Sequence, residues 1–200
     1  MAAVPEPGGS TDAEEPLSGM LRPLVVVGIV VAVMWAVELI DLIPGTRFDS
    51  RGIRPRELGG LVGIPLAPFL HNGFTHLIAN TVPFLVLGTV IAAGSVKRFF
   101  TVAGIVTLIS GLGVWLFAAD LSIHIGTSGV VFGFLTYLIS RGIFASKVSW
   151  IVGGVIVLLV YGGMLWGLLP RPGVSFTGHL FGAIGGLAAA WLLHAKLNDV

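Results

Sequence analysis

No cysteine occurs among the 200 residues. That absence excludes disulfides, thiolate nucleophiles and Cys-based metal sites. Charge is scarce as well. Only 10% of the residues are Asp, Glu, Lys or Arg, against about 25% in ordinary soluble domains. A soluble domain of this length could not cover its surface with so few charges. The net charge of +1 gives no electrostatic footprint for nucleic acid, so no nucleic-acid partner is expected.

What is present is apolar. Hydrophobic residues make up 55% of the chain, and the mean hydropathy is +0.98. The length suits one domain, and its solvent is a lipid bilayer. Six runs are long enough to approach the roughly 30 Å of a hydrocarbon core. They cover about Leu24 to Ile43, His76 to Ala93, Phe99 to Ala119, Gly126 to Ala145, Val148 to Leu168 and Phe176 to Ala195. Every run is predicted helical, because no backbone group in lipid can go unpaired. The expected fold is therefore an all-α polytopic membrane protein of six transmembrane helices, spanning residues 22–196. Residues 1–21, rich in Pro, Gly and acids, read as a disordered tail and not as a secretory signal, which would open with basic residues. Residues 197–200 form a short C-terminal tail.

Six spans put both termini on one side. Arg22, Lys97, Arg98, Arg141, Lys147 and Lys196 share that side. Arg47, Arg51, Arg54, Arg56 and Arg171 fall on the other, four of them in the segment 44–70. With that segment set aside, the positive-inside rule favours cytoplasmic termini. The segment itself is too long and too apolar for a simple loop. It is expected to form short helices lying partly in the interface.

Chemistry concentrates near one membrane face. Ser128 opens the fourth run, between Gly126 and Gly129. A membrane serine commonly bonds to its own helix, and that reading stands beside a functional one. The functional reading needs a base, and His179 lies at matching depth in the sixth run. Gly129 and Gly133 are four apart on one helix. His179, Gly182 and Gly186 fall at i, i+3 and i+7, on one face of the other. Removing side chains from both faces lets two membrane helices close to backbone contact. A hydroxyl and an imidazole then come within hydrogen-bond reach. An ionisable residue buried in a membrane span is a functional candidate by default. A third element, "HNGFTHLIAN" at 71–80, places His76 and Asn80 at i, i+4, with His71 just upstream. A metal reading of these residues is weak: two histidines five apart do not share a helical face, and no His-Glu-x-x-His motif occurs. Donors for a developing oxyanion fit better: His76, Asn80 and the Ser128 N–H.

Together "HNGFTHLIAN", "GTSG" and "GHLFGAIGG" resemble, in order and spacing, the motifs of rhomboid intramembrane serine proteases in their compact six-span bacterial form. The resemblance implies that Ser128 is the nucleophile and His179 the general base of a dyad without aspartate. It implies an oxyanion hole from His76, Asn80 and the Ser128 amide, with His71, Gly126, Gly129, Phe132, Gly182 and Gly186 in support. It implies no metal or cofactor, substrates that are transmembrane proteins, and a location in the bacterial plasma membrane with the site open to the outer side. Three positions depart from the family pattern. Phe132 stands where many members carry a Tyr that stacks on the catalytic His. "RGIRPRE" supplies Arg without the first-loop Trp. Apolar sequence near Ala92 replaces an inner glutamate.

Other residues read plainly. His124 is expected in solvent, His194 at the inner interface, and Asp120 as an exposed carboxylate instead of a triad acid. Two alternatives come from other classes: a small transporter with a polar path, or a non-catalytic rhomboid-like chaperone. A transporter needs polar residues through the full depth, and here they gather at one face. A chaperone would lack the Ser or the His, and both are present.

Overall fold

The structure is a computed structural model describing residues 15–171 and 173–195. The expected N-terminal tail falls outside the described residues over 1–14, and the C-terminal tail does so entirely. The first helix begins upstream of the apolar run, at Glu15.

The described residues form seven α-helices: α1 (Glu15–Asp41), α2 (Gly63–Leu66), α3 (Phe74–Gly94), α4 (Val96–Phe117), α5 (Ser128–Phe144), α6 (Val148–Tyr161) and α7 (Phe176–His194). Among the described residues the only β-type pairing is an isolated bridge between Ile53 and His124. Among the described residues five helical stretches are long and apolar enough to cross a membrane: Leu21–Asp41, Phe74–Gly94, Val96–Phe117, Val148–Leu168 and Phe176–His194. The protein is an integral membrane protein.

The remaining expected span, α5, has 17 residues. At 1.5 Å per residue it is about 25 Å long, short of a full hydrocarbon core. It is wrapped by α3, α4, α6 and α7, and Val131, Phe134, Leu135 and Tyr137 on it are fully buried. A helix enclosed by other helices does not itself have to match the bilayer. α6 is the opposite case. It lies at the periphery and tightens into a 3₁₀ helix over Gly162–Leu168.

Phe84, Phe99 and Phe134 meet at the centre of the bundle, with ring centroids 5.4 to 6.1 Å apart. The segment between α1 and α3 folds into short helices, as the sequence predicts: 3₁₀ helices at Phe48–Arg51, Leu58–Val62 and Ala67–Phe69, with α2 among them. Leu58 and Val62 stay exposed, while Ile64 packs onto Gly111 of α4. This segment and the α4–α5 loop form the rim over the starts of α5 and α7.

Candidate active site

The α5–α7 contact shapes the site. A Cβ on Gly182 would collide with the carbonyl oxygen of Gly129, and one on Gly186 with that of Gly133. The two helices meet backbone to backbone, as the glycine spacing predicts. Gly129 faces Ser110 of α4, whose Oγ donates to the Gly178 carbonyl at 2.8 Å. Close approach at this seam brings the first residue of α5 next to the first turn of α7.

Ser128 Oγ and His179 Nε2 lie 2.9 Å apart. On the far side of the ring, His179 Nδ1 is 2.8 Å from the Gly167 carbonyl oxygen. A carbonyl only accepts, so Nδ1 carries the hydrogen and the neutral ring presents an acceptor lone pair at Nε2. The serine hydroxyl therefore donates to the histidine. Phe132 lies flat against the imidazole, with centroids 4.2 Å apart and planes at 17°. His179 is thus fixed by a face contact and by hydrogen bonds at both nitrogens. Among the described residues no carboxylate takes part: Asp120 is exposed in the α4–α5 loop and bound by Arg56, whose Nε donates to it at 2.7 Å.

Gly126, with φ +109, makes a turn that few other residues tolerate. A Cβ there would come within 2.6 Å of the His76 ring, so the imidazole packs directly on the backbone ahead of Ser128. The Gly126 N–H donates to the Ala67 carbonyl at 2.8 Å, which ties the turn to the rim. The His71 and His76 rings meet edge to face at 5.1 Å. His71 Nε2 accepts a long bond, 3.5 Å, from the Thr127 N–H, and its Nδ1 is buried without a partner among the described residues. Burial, reinforced by His76, holds the His71 pKa down to about 4. Asn80 is buried in α3 and donates through Nδ2 to the His76 carbonyl at 2.9 Å. Among the described residues no hydrogen bond joins Asn80 to Ser128. The Ser128 N–H is the first of its helix and has no partner four residues back, as at every helix start.

His124 differs from its sequence expectation. It is half-buried, and both ring nitrogens are engaged: Nε2 with Ser122 Oγ at 2.8 Å and Nδ1 with Ser175 Oγ at 2.7 Å. Burial lowers its pKa. Ser175 is the N-cap of α7 and accepts from the Gly178 N–H at 3.3 Å. The α4–α5 loop is thereby fastened to the helix that carries His179. Two participants were hidden from sequence reading. One is the Gly167 carbonyl, a backbone atom. The other is Ser175, whose only sequence signal is its place before an apolar run.

The rhomboid domain model matches residues 59–196, from the rim segment through α7. The chain belongs to the rhomboid family. Rhomboid proteins form an intramembrane protease family, and the match contains His71, His76, Asn80, Ser128 and His179. Among similar proteins, the uncharacterized protein Rv1337 of Mycobacterium tuberculosis is 44% identical over 174 residues, covering 82% of this chain and 72% of the relative. The uncharacterized protein ML1171 of Mycobacterium leprae is 42% identical over 173 residues, covering 82% and 68%. This rhomboid and its relatives therefore share most of their lengths.

Proposed function

We propose that this rhomboid is an intramembrane serine endopeptidase that cleaves transmembrane-anchored proteins through a Ser128–His179 dyad. One observation carries the reading: a serine hydroxyl 2.9 Å from the unprotonated nitrogen of a histidine whose other nitrogen is held by a carbonyl. In this mechanism Ser128 Oγ attacks the scissile carbonyl while Nε2 takes its proton. The Gly167 carbonyl keeps the tautomer correct and stabilises the imidazolium, in place of a carboxylate. Charge developing on the substrate oxygen is met by the Ser128 N–H at the positive end of α5 and by donors from His76 and Asn80. The imidazolium returns its proton to the leaving amine, and water then resolves the acyl-enzyme with His179 as base again. The protein crosses the bilayer six times, with cytoplasmic termini and a site open to the outer side.

The test is cleavage of a single-span model substrate in proteoliposomes. Ser128→Ala and His179→Ala should each lower turnover by up to about 10⁶, and the double variant should fall no further, because the pair acts as a unit. Appreciable cleavage by either single variant contradicts the dyad.

A further inference from the structure

At the opposite end of the bundle, four elements converge on Trp150. Arg98 from the start of α4 lies with Cζ 5.9 Å from the ring centroid. Arg141 near the end of α5 has its Cζ at 5.0 Å. Lys147, which precedes α6, has Nζ at 4.8 Å. The His194 ring from the end of α7 meets the same indole edge to face at 5.1 Å, and its Nε2 is 2.7 Å from the Tyr137 hydroxyl. A chain with so few charges has gathered three cations around one aromatic ring. Among the described residues the only salt bridges are Arg54–Glu57 and Arg56–Asp120, both in the outer rim. Among the described residues no carboxylate forms a salt bridge with the cluster. Nε of Arg141 is buried and has no hydrogen-bond partner among the described residues.

Three like charges in so small a space repel. An indole face offsets part of that repulsion, but only an anion completes it. The guanidinium fork matches the oxygens of a phosphate, and Lys adds a mobile point charge. The surroundings favour a phosphate that carries acyl chains. Ile143 and Val148, beside the cations in the chain, are 65% and 75% exposed. In an integral membrane protein such exposed apolar residues face acyl chains, so the cations lie beside hydrocarbon, where a phospholipid headgroup is anchored and a free phosphate is not. We infer that Arg98, Arg141 and Lys147, arranged around Trp150, form a binding site for the phosphate headgroup of an anionic phospholipid at the end of the bundle opposite Ser128. The inference does not depend on catalysis.

The test titrates the detergent-purified full chain with phosphatidylglycerol or phosphatidylcholine and reads lipid retention by native mass spectrometry. Phosphatidylglycerol should bind more tightly. Neutralising one cation, as in Arg141→Gln or Lys147→Gln, should cut that preference about fivefold, since one basic residue near anionic lipid is worth roughly 1 kcal/mol. Arg51→Gln, in the rim, should leave it unchanged. Lys147 is exposed, so its variant carries the test even where Arg141→Gln fails to fold. Equal retention of the two lipids by the parent protein overturns the site, as does a preference that survives in Lys147→Gln. Displacement of the lipid by millimolar glycerol phosphate also overturns it, because the ligand would then be a soluble phosphate.

Discussion

A neutral imidazole has one donor and one acceptor, and His179 uses both: Nδ1–H toward Gly167, Nε2 toward Ser128. At residue scale this orientation decides the chemistry, and two predictions follow from the residues around it. In the proposed mechanism Asn80→Ala removes the Nδ2 hydrogen that is not given to the His76 carbonyl, a donor that meets charge as it develops on the substrate. It should lower kcat by about 10²–10³ while leaving KM and the melting temperature nearly unchanged. A drop in melting temperature with normal turnover below it would instead mark Asn80 as helix glue. His71 bears on stability. Its pKa is held down to about 4 in the folded protein, first by burial and then by His76, from the ordinary imidazole value of 6.5. Between those values the unfolded chain binds more protons. Stability is therefore complete above pH 6.5 and falls as pH drops toward 4, by up to about 3 kcal/mol from this residue. Unfolding of His71→Gln followed from pH 7.5 to 4.5 should show a shallower loss than the parent. An identical slope in both proteins refutes the assignment.

At the scale of elements, the α5–α7 seam aligns the site, and the seam was legible from Gly129, Gly133, Gly182 and Gly186 because glycine spacing on two helices directly encodes a close approach. Gly182→Val puts a branched side chain where the Gly129 carbonyl sits. The helices must separate, and a shift near 1 Å costs about 100-fold in rate. The variant should insert and fold yet lose activity, and full activity would show that the seam does not align the dyad. What sequence reading missed at this scale has a common cause. Gly167 acts through its backbone in a 3₁₀ turn that the apolar run 148–168 concealed. His124 is drawn out of solvent by an isolated bridge to Ile53 and by Ser175, neither of which leaves a local pattern.

For the whole molecule, composition alone assigned the bilayer, because a charge-poor chain has no other solvent. Helicity followed from backbone satisfaction in lipid. Span length was less legible. Hydropathy marks apolar residues whether lipid or protein surrounds them, so α5, enclosed by four helices, read as a span of ordinary length. The polar groups divide between the two ends, with the Ser–His pair and its rim at one and the cationic Trp150 cluster at the other. That division gives the protein a chemical face and an anchoring face. The central claim concerns the first of these, and a fluorophosphonate probe tests it most directly, since the probe reacts only with an activated serine and needs no knowledge of the substrate. Labelling followed by peptide mass spectrometry should place the adduct on Ser128, should vanish in Ser128→Ala, and should fall to background in His179→Ala. No adduct on the folded parent protein, or undiminished labelling of Ser128 without His179, would contradict the account.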